Sequence, residues 1–311
     1  FDESSHLWII ETDGRETIRT RFFIMGVGCL SAPIRPKFAY EEEFEGEIYQ
    51  TSLWPKESVD FTGKRVGIIG TGSSAIQSIP LIAQEAKHLY VYQRTPNFVV
   101  PAQNRVLSDE EVLAVKSDYK GFRAKAYAGL TAFLFPRHDQ SLFDLSPKER
   151  RARFDEQWEI GGLPFLGAFN DLLINENSNK EVADYWRSRI DDVIEDPAIT
   201  DLLTPDEFFG CKRLCAGTDY YEAYNRDNVT LVDVRNCGIE RLTPTGLRAE
   251  GKDYDLNVII YATGFDAMTG SVTRIKITGS DGRTIQDKWA DGPRNYLGLT
   301  ISGFPNMFNM V

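Results

Sequence analysis

The feature that most constrains this fold is a glycine-rich turn between an apolar run and a helical pattern. Residues 64–70 predict a short buried strand, and residues 74–86 predict a helix. In the motif Gly-Thr-Gly-Ser-Ser-Ala between them, the first glycine permits a tight turn and the second lets the backbone approach a pyrophosphate. The final alanine of the motif is small, so helix and strand can pack closely. The helix N-terminus offers N–H groups to phosphate. This context predicts dinucleotide binding, with a merely tight strand-to-helix turn as the alternative. The residues predicted to surround the cofactor here are Gly70, Thr71, Gly72, Ser73, Ser74, Ala75 and Gln77.

The next predicted strand, Leu89–Gln93, indicates which nucleotide the site prefers. A site for NAD or FAD usually has an acidic residue at the end of this strand, where it bonds to the ribose 2′-hydroxyl. This sequence has Arg94 and Thr95 there and no carboxylate. Arg94 offers a planar cation suited to a 2′-phosphate, and Thr95 offers a hydroxyl donor. The pattern favours NADP over NAD, and the alternative is a surface arginine without a ligand.

Composition narrows the class of protein. The 311 residues can bury a full core and are expected to form two compact units, and the formal charge of −11 disfavours binding to nucleic acid or to anionic membranes. Four scattered cysteines do not suggest a disulfide framework, and Cys211 and Cys215 have no histidine nearby that would suggest a metal site. No apolar run approaches the roughly 18 residues of a membrane span, and no signal peptide is visible. We therefore expect a cytoplasmic protein with reduced thiols.

Other catalytic chemistries are disfavoured. The three histidines, His6, His88 and His138, lie in no metal-spaced or nucleophile-bearing motif. No GxSxG motif occurs, since Ile76 fills the last position after Ser74. A group of aromatic residues either lines a substrate pocket or, as we favour, packs the core of a helical region. These aromatic residues are Phe133, Phe135, Phe143, Trp158 and Phe165.

Two parts of the chain share one strand pattern. Residues 7–20 read as a hairpin with an Asp-Gly turn, followed by the apolar run 22–28, predicted as a buried strand. Near the C-terminus, a meander with glycine-containing turns leads into the buried run 256–264. Two copies of one unit predict two related nucleotide-binding lobes, with two unrelated meanders as the alternative. Residues 108–205 between them are charged and mostly helical, with N-cap signals, and are predicted to form a helical insertion.

The segment ahead of the dinucleotide strand carries a longer motif. Phe44, Gly46, Trp54 and Pro55 fit the pattern FxGxxxHxxxWP, in which Gln50 stands at the histidine position. The pattern resembles the signature of the Baeyer–Villiger monooxygenases, a family of class B flavoprotein monooxygenases, where it lies in a linker between the FAD and NADP domains. The resemblance extends in order over nearly the whole chain. Its further stretches are 67–78, 92–97, 212–213, 219–222, 224–229 and 262–266.

The resemblance implies a fold and an activity. Its fold class is α/β with two dinucleotide-binding domains, here a Rossmann-like NADP domain with a helical insertion and a partial FAD domain. In that family NADPH reduces bound FAD, and O2 then gives a C4a-peroxyflavin that converts a ketone into an ester or lactone. The resemblance makes Arg213 the catalytic residue and Lys212 a ligand of the 2′-phosphate. Without it, this pair would read as exposed basic residues. It also adds Ala262, Thr263 and Gly264 to the cofactor-binding residues.

The sequence departs from the family pattern in several places. The N-terminal GxGxxG fingerprint for FAD and an aspartate partner of the catalytic arginine are missing, so we expect a chain without its N-terminal FAD segment that holds FAD poorly alone. Residues 25–28 read Met-Gly-Val-Gly rather than Ala-Thr-Gly, and Gln50 cannot titrate near neutral pH although it can still hydrogen-bond. The predicted domains are 1–45, a remnant of the FAD domain with the linker; 46–107 and 206–264, the NADP domain; 108–205, the insertion; and 265–311, the C-terminal part of the FAD domain.

The sequence leaves two other functions open. One is a flavin-containing monooxygenase that oxidises nitrogen or sulfur, although its linker signature differs from this one. The other is a non-catalytic module that binds NADP(H) without flavin chemistry. The partners expected under the favoured interpretation are a small ketone and O2, with no nucleic acid and no membrane. The sequence does not predict which ketone is used.

Overall fold

The structure, a computed structural model, describes residues 1–129, 132, 134 and 137–310. The chain divides into two compact units, one formed by Phe1–Pro36 with the residues from Thr263 onward, and the other by Lys37–Ala262. The assignment of chain segments to FAD and NADP domains stays a prediction. Across the described residues, no helix is both long and apolar enough to span a bilayer.

The larger unit is built on a five-stranded sheet in which every pairing is parallel. Parallel sheets are buried on both faces, and this explains the nearly continuous apolar strands that the sequence showed. The predicted strand–helix–strand unit is confirmed as β5 (Arg65–Ile69), α1 (Ser73–Glu85) and β6 (His88–Gln93). In spatial order the strands are β4 (Glu47–Gln50), β13 (Val258–Tyr261), β5 (Arg65–Ile69), β6 (His88–Gln93) and β9 (Val229–Asp233).

Different layers cover the two faces of this sheet. On one face an antiparallel three-stranded meander packs Leu242 and Leu247 against Tyr92 and Tyr261. On the other face lie the helix α1 (Ser73–Glu85) and the helical block, joined in one apolar core. The meander strands are β10 (Ile239–Thr243), β11 (Gly246–Ala249) and β12 (Lys252–Asp255).

The predicted helical insertion is present as a set of helices between β7 (Val99–Pro101) and β8 (Cys215–Gly217), which pair in parallel. The expected N-cap residues Ser108 and Ser146 each form a capping box with the glutamate three residues later, so both helix starts are confirmed. The helices are α2 (Asp109–Ser117), α3 (Tyr119–Ala128), α4 (Pro147–Ile160), α5 (Glu176–Asp191) and α6 (Pro197–Leu203).

Two of the three described aromatic residues that the sequence singled out in this block are buried in its core. Trp158 and Phe165 are buried against the fully buried Trp186, with ring centroids 5.1 and 4.7 Å away. The packing interpretation is therefore confirmed for these two. Phe143 is instead exposed, with the guanidinium of Arg150 4.3 Å from its ring centroid. Phe133 and Phe135 lie outside the described residues.

The linker motif forms the edge strand β4 and its flanks. Phe44 is buried, and a Cβ on Gly46 would lie 2.4 Å from the carbonyl oxygen of Asn257, so only glycine fits there. Gln50 is the buried last residue of β4, and the ring of Trp54 lies 5.5 Å from that of Tyr49. The motif therefore attaches this strand to β13 by close backbone approach and packing.

The smaller unit has a hairpin of β1 (Trp8–Glu11) with β2 (Thr17–Thr20), as the Asp-Gly turn predicted. Next, β3 (Phe23–Met25) pairs in parallel with β14 (Met307–Asn309), and α7 (Gly270–Thr273) and α8 (Ile285–Lys288) complete the unit. The prediction of a buried strand over 22–28 is wrong in extent, because β3 has three residues and Ile24 is exposed. Among the described residues β14 is the only strand that pairs with β3.

We expect Trp186→Ala to lower the free energy of unfolding by about 3–5 kcal/mol, because it leaves a large cavity and removes the indole donor to the carbonyl of Val99, 3.0 Å away. The partly exposed Trp54 provides the matched control, and Trp54→Ala should cost less than about 1 kcal/mol. Urea unfolding measures both. Equal losses would contradict the placement of Trp186 at the centre of this core.

Candidate dinucleotide-binding site

The turn after β5 has the backbone that its glycines require. Gly70 has φ +105°, and its N–H donates to the carbonyl of Tyr92 at the end of β6, 3.0 Å away. Ala75 is completely buried, as the close packing of helix on strand demands. A Cβ on Gly72 would meet nothing within 4 Å, and its φ of −81° is open to any residue. The protein's own packing therefore does not require glycine at 72, whereas a ligand lying against this backbone would.

The start of α1 leaves backbone donors without a side-chain cap. The N-cap residue, Gly72, has no side chain that could accept a hydrogen bond from the first turn, so the N–H groups of this turn stay uncapped. Ser73 and Ser74 are exposed there, and the side-chain amide of Gln77 donates to the carbonyl of Ser73, 2.9 Å away. Such a terminus can bind an anion through its N–H groups and the helix dipole.

Thr71 joins this turn to the loop that follows β6. Its hydroxyl donates to the carbonyl of Thr95, 2.9 Å away, and the side-chain amide of Asn97 donates to the carbonyl of Thr71, 2.6 Å away. Thr71 is buried, so its hydroxyl is used within the protein. The Thr-Pro-Asn sequence predicts a turn but does not indicate that Asn97 bonds to Thr71. These two bonds hold the turn against the segment that carries Arg94.

The end of β6 carries no carboxylate. Gln93 is buried and its amide donates to the carbonyl of Leu202, 2.7 Å away, while Arg94 is exposed. In the part of the chain that the structure describes, no carboxylate lies within ion-pair distance of Arg94. Asp233 of β9 stands beside Gln93 in register, but it accepts bonds from Arg235, which lower the pKa of the Asp233 carboxyl. The guanidinium of Arg94 is therefore available to an anion.

The pair Lys212–Arg213 reaches the same region through β8. Gly217 packs so closely on α1 that a Cβ there would lie 2.8 Å from the side chain of Ile76 in the first turns of that helix. Burial raises the pKa of the Cys215 thiol, while the charge of Arg213 and a hydrogen bond from Ser73 act in the opposite direction. The segment that follows the pair is thus held beside the first turn of α1.

The two basic side chains differ in their partners. The ammonium of Lys212 lies 2.6 Å from a carboxylate oxygen of Glu207. Within the described ranges no carboxylate is at ion-pair distance from the exposed Arg213. The pair therefore offers one cation that is already paired and one that is available.

The Ala-Thr-Gly motif after β13 spans the boundary between the units. Ala262 belongs to the larger unit, where its N–H donates to the carbonyl of Ile69, 2.9 Å away. In the smaller unit the hydroxyl of Thr263 and the carbonyl of Gly264 both bond to Ile34, at 2.6 and 3.0 Å, and Gly264 has φ +76°. A role for these three residues in cofactor binding stays a prediction.

Together, the parallel sheet, the glycine turn and the uncapped helix define an α/β protein of the dinucleotide-binding class. No family model matches the chain. Over 317 residues it is 44% identical to a 2-oxo-Δ3-4,5,5-trimethylcyclopentenylacetyl-CoA monooxygenase of Pseudomonas putida, covering 99% of this chain and 58% of the relative. Over 314 residues it is 39% identical to a Baeyer–Villiger monooxygenase of Pseudooceanicola batsensis, covering 100% of this chain and 57% of that relative. A crystal structure of OTEMO in complex with FAD and NADP superposes with a TM-score of 0.96 and 43% identity, covering 100% of this chain and 59% of that one.

The chain is thus similar along nearly its whole length to these monooxygenases, a Baeyer–Villiger monooxygenase among them, and it spans 57–58% of the length of the first two relatives. The expected α/β fold class, with the architecture of a flavoprotein with two dinucleotide-binding domains, is confirmed by this similarity.

We expect Gly70→Ala to lower the free energy of unfolding by about 1–3 kcal/mol, because alanine is strained at φ +105°. Gly72→Ala, two residues away, should change it by less than about 0.5 kcal/mol, because the added methyl group enters open space. Urea unfolding of both variants tests this contrast. A large loss in Gly72→Ala would mean that the fold itself requires this glycine.

Proposed function

We propose that the larger unit binds NADPH, and that the chain forms part of an enzyme that oxidises a ketone to an ester or lactone with NADPH, FAD and O2. The observation that carries the proposal is the glycine at position 72. The packing of the protein does not require it, and it stands at the uncapped N-terminus of α1. In this proposal the pyrophosphate lies on the N–H groups of the first turn of α1. The ribose then extends toward Arg94 and Thr95.

The preference for NADPH over NADH rests on two cations. No acidic residue stands beside Arg94 at the end of β6 to accept a hydrogen bond from a ribose 2′-hydroxyl. The N–H donors of the Arg94 guanidinium suit a 2′-phosphate instead. Lys212 adds a second positive charge to the same phosphate. The chain carries a net charge of −11, so this local pair of cations is what attracts the anionic nucleotide.

The chemical step is proposed to depend on Arg213. When bound, FAD carries electrons from NADPH to O2. Arg213 holds a permanent charge and is not engaged by a carboxylate in the described residues, so it can stabilise the negative charge that develops on the carbonyl oxygen of the ketone.

We also propose that residues 46–107 and 206–264 act as the NADP domain, and that residues 1–45 and 265–311 act as parts of the FAD domain. A cytoplasmic location is supported by four free cysteines.

The first measurement is a calorimetric titration of the purified chain with NADPH and with NADH, together with an absorbance scan for flavin. We expect NADPH to bind at least tenfold more tightly than NADH. Arg94→Ala should weaken NADPH binding by tenfold to a hundredfold, the loss of a charge-assisted contact worth about 1.5–3 kcal/mol, and leave NADH unchanged. Arg123→Ala in α3 removes the same charge elsewhere and is the control. Equal binding of both nucleotides by the unmodified chain would refute the NADP site.

The scan distinguishes the proposed enzyme from a module that only binds nucleotide. Absorbance in the visible range shows bound flavin, and ketone assays then follow. A colourless chain that selects NADPH supports the NADP-binding part of the proposal alone.

Where the unmodified protein holds flavin and forms ester from a ketone with NADPH and O2, Arg213→Ala should abolish ester formation. The same substitution should change the affinity for NADPH by less than about threefold, because Lys212 remains to hold the phosphate. Arg213→Lys keeps the charge but loses the planar fork, so we expect weak residual activity. Normal ester formation by Arg213→Ala would show that another group stabilises the oxyanion.

A further inference from the structure

The ammonium of Lys212 has a partner of its own within the fold. It lies 2.6 Å from the carboxylate of Glu207, and the two side chains are 40% and 28% exposed. Among the described residues this is the only ion pair that engages a cation assigned to the 2′-phosphate. The nucleotide must therefore meet this carboxylate when it reaches Lys212.

The backbone builds the pair. The N–H of Cys211 donates to the carbonyl of Phe208, 3.1 Å away, which closes a turn in which Gly210 has the required positive φ of +91°. Glu207 and Lys212 flank this turn and so face each other. The turn is held from within the protein, because the side chain of Asn179 bonds to both the N–H and the carbonyl of Phe209, at 2.9 and 2.8 Å. The fold thus sets the backbone positions from which Glu207 and Lys212 make their contact.

The electrostatic consequence differs between the two nucleotides. A 2′-phosphate carries close to two negative charges, and it shares the ammonium of Lys212 with a carboxylate that repels it at short range. NADH has a neutral hydroxyl at this position and neither needs Lys212 nor is repelled by Glu207. A carboxylate here therefore weakens the binding of NADPH selectively.

We propose that Glu207 is a specificity-determining residue that competes with the 2′-phosphate for Lys212. It lowers the affinity for NADPH and NADP+ and leaves the affinity for NADH unaffected, which reduces the preference for NADPH over NADH. The inference rests on the proposed function, because it takes Lys212 as a ligand of the 2′-phosphate.

The test is calorimetric titration of the 311-residue chain and its Glu207→Gln variant with NADPH and with NADH. Glutamine keeps the size of the side chain and removes its charge. We expect NADPH to bind about three- to tenfold more tightly to the variant, with NADH changed by less than 1.5-fold. In a Lys212→Gln background the same substitution should change NADPH binding by less than twofold, because the shared cation is gone.

Asp206→Asn is the matched control, since it removes one negative charge from the adjacent exposed residue. It should change NADPH binding by less than twofold. Thermal unfolding confirms that each variant is folded. Equal tightening by Asp206→Asn and Glu207→Gln would overturn the inference in favour of a general charge effect. Unchanged or weaker NADPH binding by Glu207→Gln, in a chain that does select NADPH, would also overturn it and leave the proposed function standing. A chain that selects NADPH in none of these forms would refute the proposed NADP site itself, and the inference with it.

Discussion

The parallel pairing of β5 with β6 is the constraint on which the rest of the candidate site depends. Because parallel strands end at the same edge of a sheet, the turn after Ile69 and the loop after Gln93 leave side by side. The N–H of Gly70 donates to the carbonyl of Tyr92, and Thr71 and Asn97 add two bonds between the loops. The turn proposed to bind a pyrophosphate and the cation proposed to bind a 2′-phosphate, Arg94, are thereby held close together without any direct contact between their side chains. The geometry comes from hydrogen bonds within the protein, so it does not depend on a ligand.

A second set of contacts brings a distant part of the chain to the same edge. Trp186 connects the helical block to the sheet side of the core, because its ring packs on Phe98 and Phe209 and its indole N–H donates to the carbonyl of Val99 in β7. Because β7 pairs with β8, these contacts also position β8, which begins two residues after Arg213. A core of aromatic residues in the insertion therefore helps to set where the pair Lys212–Arg213 lies relative to α1.

The charge around the candidate site is opposite in sign to the net charge of the chain. The chain is strongly acidic overall, yet Arg94 and Arg213 have no carboxylate at ion-pair distance in the described residues, and Lys212 is held by Glu207. Over distances beyond about 8–10 Å salt screens the acidic surface, so the nearest groups decide how an anion binds. The same short range makes a single carboxylate such as Glu207 able to adjust one cofactor without affecting the other.

The sequence by itself determined the local elements and the class of site. The glycine spacing gave the turn, the apolar runs gave β5 and β6, and the serines with following glutamates gave two helix starts, because each depends on residues only a few positions apart. The sequence failed over residues 22–28, where an apolar run was read as a buried strand, since burial depends on which neighbours cover it. Only the tertiary structure decided that Thr71 and Asn97 join two loops and that Gly72 faces open space. It also decided that Glu207 pairs with Lys212 across the turn at Gly210. Each of these depends on where a backbone turns in space, and a linear pattern of residue types does not contain that information.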